Sequence, residues 1–506
     1  MVVPLVGRYG EQILGVLSCF DRVVITGTLP EICHAEAMSA HLRSRGIRIF
    51  DYTQFAEPLR EEIRRHAESL AAEAGLTIEF IQRRNFRKED RVQEILRVRG
   101  DHPGLVHIFS AMEPCSSFKP WHNKQTGKTY LRRSEAKCLH YYFYFVLAEL
   151  GLCYLRVPTW APFRLQFYYN GHHQLAGQLR KAGIGFDLVD NVFVRIEDFE
   201  QAQRLADGLR ADLLHRTLNQ VAQWLCPVVA RFKGGYHWSL MQVEYATDIV
   251  FRSAAELKPL YEVLVRTAIH TIKPEHVATF LGRKLDERYQ GEIGNDFHTR
   301  IEGTRIKHFM GPNSIKMYDK LGRVLRVETT SNDVSSFKHH RRVEHRDGTW
   351  EMKNAQVRKT IYSLPDLLNL MTAANRRYLE FLSALEDPTS GIKSLEKISR
   401  RTSEGQRTHR GFNLFDSEDR AVFEAIVRGE FDISGFQNRH LQSLLPRKTA
   451  GQIARILKRL RTHGLVKKIG HTYRYYLTQL GQRVVCAALK LRRLFLIPAL
   501  AQEVLV

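Results

Sequence analysis

The sequence of 506 residues lacks paired cysteines and long apolar runs, and its acidic residues fall short of its basic ones. Its seven cysteines, at 19, 33, 115, 138, 153, 226 and 486, are scattered, and none forms a CxxC pair. That spacing excludes a four-cysteine zinc site and a disulfide scaffold, and leaves free buried thiols as the expectation. The most apolar stretch after the start, 141–157, is broken by Glu149 and Arg156, short of the ~20 residues a membrane span needs. The opening residues place Arg8 and Glu11 where a signal peptide needs an uninterrupted apolar run, so a cytoplasmic chain without a membrane partner is expected. There is no Walker loop, no GxGxxG after a strand, no HExxH and no GxSxG, which disfavours nucleotide hydrolysis, dinucleotide chemistry, zinc proteolysis and a serine-hydrolase elbow. Internal repeats and low-complexity tracts are absent too.

The deficit of acid is the informative absence. Asp and Glu number 54 against 76 Lys and Arg, a formal charge of +22. An excess of that size points to a polyanion, most simply nucleic acid. With 44% hydrophobic residues the chain can bury a sizeable core, and its length allows about three domains.

Hydrophobic patterning predicts an α+β protein. Residues 1–110 alternate helical and strand patterns, with strands at 22–27 and 105–109 and helices over 31–46 and 55–75, and read as a small α/β unit. Residues 111–230 form an aromatic-rich segment with a hairpin at 140–145 and 152–157, followed by helices. Residues 231–385 give a strand at 237–251, helices at 254–268 and 274–281, and two hairpins. One turns at 319–322 and the other at Asp347-Gly348, the strongest short hairpin signal in the chain. The polar, basic stretch 386–411 reads as a linker.

Residues 412–506 are the most legible. Three helical patterns are followed by a hairpin and a last helix. In the third, Ile453, Ile456, Leu457 and Leu460 make one apolar stripe, while Arg455, Lys458, Arg459 and Arg461 occupy the other faces. Lys467, Lys468 and Arg474 fall on the hairpin. The residues GQIARILKRLRTHGLVKKIGHTYRYYLT (451–478) resemble the winged helix-turn-helix of MarR-type regulators. That resemblance implies a recognition helix whose Arg and Lys contact bases and phosphates and a basic wing beside the backbone, with DNA favoured over RNA.

In the central region, strand alternation puts Gln242, Glu244 and Asp248 on one face, where two carboxylates can hold Mg²⁺ for phosphoryl transfer. The alternative is a solvated polar sheet face. Lys316 and Tyr318 share a face of one hairpin strand, and Arg326 and Glu328 share a face of the next. The pattern IKMYDK…LRVE (315–328) loosely resembles rolling-circle replication initiators of plasmids and phages, which implies a tyrosine attacking a DNA phosphate. The His-apolar-His metal motif of those enzymes is missing, since His172-His173 and His339-His340 are adjacent pairs. Asp296, His298, Glu302 and His308 are possible metal ligands at spacings that fit no tetrahedral signature. Lys338, Arg341 and Arg342 lie on a basic hairpin suited to a groove or backbone. Tyr141, Tyr142, Tyr144, Tyr168 and Tyr169 can stack bases or fill the core. The whole chain also resembles a bacterial protein group with mobile-element associations, and that resemblance implies no mechanism.

The reading that follows is a nucleic-acid-binding protein. One alternative is a replication initiator or transposase-like nuclease with Glu244, Asp248, Tyr318, Lys320 and Glu328 as catalytic candidates. In that case Mg²⁺ is required, whereas binding alone needs no cofactor. The other alternative is a ribonucleoprotein component that holds structured RNA. If Glu244 and Glu328 converge near Lys316 and Tyr318, the nuclease alternative gains.

Overall fold

The computed structural model describes residues 4–83, 85–283, 289–300, 303–386, 389–405, 407–470, 472–497 and 500. The fold is α+β and divides into two compact units, 1–386 and 387–506. Among the described residues no helix is long and apolar enough to cross a membrane.

The first unit is built on one large, mainly antiparallel sheet. Its strands in chain order are β1 (Ile13–Thr28), β2 (Ile78–Phe80), β3 (Gly104–His122), β4 (Thr129–Leu147), β5 (Gly151–Pro158) and β6 (Leu165–Tyr169). A separate hairpin, β7 (Phe186–Val189) and β8 (Val192–Ile196), precedes β9 (His237–Phe251). Then come β10 (Ile293–Arg300), β11 (Gly303–Met310), β12 (Asn313–Lys320) and β13 (Val324–Ser331), and a second ribbon, β14 (Lys338–Glu344) with β15 (Trp350–Gln356). The spatial order is β10-β11-β12-β13-β9-β1-β6-β5-β4-β3-β2. Neighbours β6, β1 and β9 come from three different stretches of the chain. The segments 1–110, 111–230 and 231–385 are therefore parts of one unit held by long-range strand pairing, which local patterning does not report.

One face of this sheet is apolar. Val23, Ile25, Phe143, Phe145, Leu155, Val243 and Tyr245 alternate inward beneath the helices Ala35–Ser44, Tyr52–Glu73, Ala211–Leu225 and Leu364–Glu386. Ile249, Ile315, Met317, Leu325 and Val327 continue it beneath Ala254–Thr271. The opposite face, called the front below, is covered at one place by the helix Gly171–Ala182 and the β7–β8 hairpin. Further along, the helix Lys88–Arg99 packs on Phe109, Tyr142 and Tyr144. Between these covers the front face is polar.

The second unit has helices Ser417–Ile426, Gly429–Ser434, Asn438–Leu444 and Ala450–Thr462, a hairpin of Val466–Lys468 with Tyr475–Leu477, and a helix Gln479–Leu491. The stretch expected to be a linker is folded into this unit. It forms the helix Thr389–Ser399 and a hairpin of Thr402–Glu404 with Arg407–His409. Ile398 and Phe412 sit in the unit's core, and Phe412 N–H donates to the carbonyl of Ile398. These apolar anchors, with Arg461 and Thr462 donating to Glu404 and Arg459 donating to the carbonyls of Arg410 and Gly411, tie an otherwise polar segment to the unit.

Candidate active site

The front face draws its chemistry from four adjacent strands. On β1, Phe20 pairs with Tyr245 and Arg22 pairs with Glu244, so Asp21 has no partner. This β-bulge interrupts the alternation and puts two successive polar side chains, Asp21 and Arg22, on the front. On β9 and β13, Asp248 stands opposite Arg326, and Glu244 opposite Thr330. On β12, Lys316 pairs with Glu328 and Tyr318 with Arg326.

Carboxylate oxygens of Asp21, Glu244 and Glu328 lie within 4.8 Å of one another. Lys316 Nζ sits 2.6 Å from Glu328 Oε1 and 3.7 Å from Glu244 Oε1. Tyr318 O–H donates to Glu328 Oε2 at 2.7 Å, and Gln242 Nε2 donates to Glu244 Oε1 at 2.9 Å. Burial, and then repulsion from Glu328, push the Glu244 carboxyl up to about 7, against the pull of Lys316. Tyr318 is held well above its ordinary value by burial and by the Glu328 charge.

Behind this cluster lies a closed ion network. Arg326 is wholly buried and donates to both oxygens of Asp248 at 2.6 Å. Its Nη2 also reaches the carbonyl of Asn191 at 2.7 Å and His172 Nε2 at 3.0 Å. His172 also stands between two carboxylates, its Nδ1 3.1 Å from Asp21 Oδ1 and its Nε2 3.5 Å from Asp248 Oδ2. Asn170 caps the helix that carries His172 and donates to Asp21 at 3.1 Å, and Asn191 donates to the same oxygen. Burial opposes the charge on Asp21, but Arg326, His172 and Asn191 outweigh it and hold the carboxyl below its usual range. The helix can start here because Gly171 has no Cβ, which would lie 2.0 Å from the Phe20 carbonyl oxygen.

The five catalytic candidates therefore separate. Glu244 and Glu328 share the acid cluster, and Tyr318 is bonded to it. Asp248 does not belong there, because both its oxygens are taken by Arg326. Lys320 is bonded to Asn191, and burial followed by the nearby Arg326 holds its ammonium below the ordinary value. Asp21 and His172 were missed. Asp21 begins an apolar run at a bulge, where periodicity fails. The spacing of His172 to His173 carries no metal motif, and the signal for His172 is the helix cap at Asn170.

Of the other proposed ligands, Asp296 and His308 do not converge. Asp296 stands opposite Lys307, and His308 stands opposite Asn295, on the other face. His308 is buried between Asn295 and Tyr378, and burial pushes its imidazole down to about 4. Glu302 and the side chain of His298 lie outside the described residues. Of the five tyrosines considered for stacking, Tyr141, Tyr142, Tyr144 and Tyr169 are buried, and Tyr168 is half-buried. Tyr168 is stacked on Tyr154 and has the Arg22 guanidinium over its ring.

Among the nucleic-acid candidates, Arg459 must be withdrawn. It is buried, donates to both oxygens of Asp419 at 2.6 and 2.8 Å, and lies 3.7 Å above the Phe412 ring. Its long side chain turns from the helix face into the core. Arg461 is paired with Glu404, and Arg474 donates to the carbonyl of Ser434. Arg455 and Lys467 are exposed, with Lys458 and Lys468 half-exposed. On the β14–β15 ribbon, Lys338 is exposed and Arg342 covers the Trp350 ring at 4.5 Å. Arg341 instead bonds the Gln356 carbonyl of its own ribbon.

No protein family profile and no curated protein matches the chain. Among solved structures it is matched to a rolling circle replication initiator protein from Geobacillus stearothermophilus at 10% identity. The match covers 63% of this chain and 74% of that one with a TM-score of 0.18, too low for the likeness to carry an argument.

Proposed function

We propose that the chain is a nucleic-acid-binding protein whose first unit carries a divalent-cation site for phosphodiester chemistry. The observation that supports this reading is the convergence of Asp21, Glu244 and Glu328 beside Lys316 and Tyr318. Three carboxylates so close repel one another, and burial first, with that repulsion added to it, raises the Glu244 carboxyl. A hard cation such as Mg²⁺ takes oxygen ligands and resolves the repulsion. In this reading the carboxylates hold the cation, which supplies Lewis-acid help to a phosphoryl oxygen. Lys316 swings from Glu328 to a phosphate oxygen, and Glu328 accepts the proton of the attacking hydroxyl, whether that hydroxyl is water or Tyr318. Arg22, half-buried beside Glu244, is placed for a second phosphate contact.

The second unit supplies duplex affinity in this reading. Its helix order before a small hairpin fits a winged helix with one extra short helix, Gly429–Ser434. Arg455 and Lys458 are the outward cations of the reading helix, and Lys467 and Lys468 those of the wing. DNA is the substrate favoured by this arrangement, and mobile DNA the setting favoured by the sequence resemblance.

The test is strand cleavage by the full chain on single-stranded DNA, duplex DNA and RNA, with and without Mg²⁺. Cleavage is expected only with the cation and should fall at least a hundredfold in Glu244→Gln and in Glu328→Gln, with binding retained. Tyr318→Phe separates the two nucleophiles: loss of a covalent protein–DNA product identifies Tyr318, and unchanged hydrolysis identifies water. Absence of cation-dependent cleavage on all three substrates contradicts the proposal.

A further inference from the structure

Residues 112–139 build an exposed basic ribbon. β3 and β4 pair over their whole length, from Gly104 with Val146 to His122 with Thr129. β5 pairs with β4 only from His140 to Leu147, and β2 with β3 only from Ile108 to Ser110. Beyond those residues the two strands form a free ribbon that turns at 123–128. Phe118 and Leu131 tie the back of the ribbon to the core, Phe118 lying against Tyr52, so the ribbon is held in place. Alternation then puts Lys119, Trp121, Tyr130 and Arg132 on its front, the side of Tyr142 and Tyr144 and of the sheet face bearing the acid cluster.

The ribbon carries six cations, Lys119, Lys124, Lys128, Arg132, Arg133 and Lys137, against two acids, Glu113 and Glu135, of which Glu113 is paired with Arg156 outside the ribbon. Among the described residues none of the six has a carboxylate within ion-pair distance, whereas other surface arginines such as Arg195 and Arg210 are paired. Free cations and the prolines at 114 and 120 also guard an exposed ribbon edge against aggregation. That explanation does not cover the aromatics. Trp121 is 43% and Tyr130 39% exposed, they stand opposite each other near the tip, and Arg132 covers the Trp121 ring at 4.7 Å. The β14–β15 ribbon repeats the device with Trp350, 56% exposed, beneath Arg342. An exposed aromatic pair among unneutralised cations suits an unpaired base on the rings and phosphates on the ammonium and guanidinium groups.

We propose that the β3–β4 ribbon is a binding arm for single-stranded nucleic acid, an inference that rests on the nucleic-acid reading above and names the form of the substrate. The test uses the full chain without Mg²⁺, a fluorescent 20-nucleotide single-stranded DNA and the matching duplex, measured by anisotropy at two salt concentrations. Trp121→Ala with Tyr130→Ala is expected to weaken single-strand binding by about tenfold or more, with less than twofold change on the duplex and an unchanged melting temperature. Lys119→Gln with Arg132→Gln leaves the aromatics in place and provides a second arm should the first variant misfold; it should flatten the salt dependence on the single strand. Variants that bind the single strand as the parent does overturn the arm alone. Equal losses on both nucleic acids overturn its single-strand preference. A parent chain that binds neither overturns the arm and the nucleic-acid reading together.

Discussion

Each unit buries one arginine against one aspartate, and the two clamps differ in what surrounds them. In the second unit Arg459 has Asp419, two backbone carbonyls and the Phe412 ring, and with Arg410 at 3.7 Å the single carboxylate is fully answered. In the first, Arg326 serves Asp248 and also faces Asp21 at 3.6 Å, while Lys316 serves both Glu328 and Glu244. Each of those two cations thus answers two carboxylates, with Arg22 and Lys320 only at the margin. A balanced clamp is a structural element. The crowded carboxylates of the first unit, with Glu244 held up to about 7, are the ground on which a cation site is proposed there and not in the second unit.

The largest effect that sharpens this contrast is on stability. Arg326→Met should leave Asp248 and Asp21 buried without their cation and cost about 3–5 kcal/mol, read as loss of the first unit's transition in calorimetry. Arg459→Met should cost less, about 2–3 kcal/mol, because Arg410 remains within 3.7 Å of Asp419. That loss should confine itself to the second unit. Equal effects of the two substitutions would break the comparison.

A smaller effect is set by pH. Glu244 keeps its proton in the folded state up to about 7, whereas the unfolded chain loses it near 4.5. Stability of the cation-free protein should therefore fall as pH rises from about 4.5 to 7 and flatten above, by at most ~3 kcal/mol. Glu244→Gln should remove most of that slope in a series of melting curves. Mg²⁺ affinity should move the opposite way, tightening as pH rises through 7, because the ion displaces the proton.

The smallest effect belongs to the exposed helix. Arg455→Ala should leave the melting temperature unchanged and weaken duplex binding uniformly across sequences. It should lower the slope of log K against log salt by about one. An unchanged slope would remove this helix from the interface.

Much of the site was legible where it depends on alternation alone. β9, β12 and β13 were expected nearly where they lie, and parity was enough to place Glu244, Glu328, Lys316 and Tyr318 on matching faces. Their meeting depends on β13 lying beside β9, a pairing about 80 residues apart in sequence that local pattern does not encode. Asp21 was hidden by its bulge. Asp248 and Lys320 shared the parity of the true cluster members, and only the reach of Arg326 and the position of Asn191 separate them. The β3–β4 ribbon escaped because residues 112–139 alternate poorly and contain two prolines. Arg459 shows the converse error: helical periodicity assigns a Cα to the outer face, but a long side chain can still turn inward.

The central claim is that Asp21, Glu244 and Glu328 hold a divalent cation. Its most direct test is a crystal of the full chain soaked in Mn²⁺ at pH 8 and measured for anomalous scattering. A single strong peak about 2.0–2.3 Å from oxygens of all three carboxylates, with Lys316 Nζ withdrawn from Glu328, is expected. An empty cluster with Lys316 still bonded to Glu328 at saturating Mn²⁺ would contradict it.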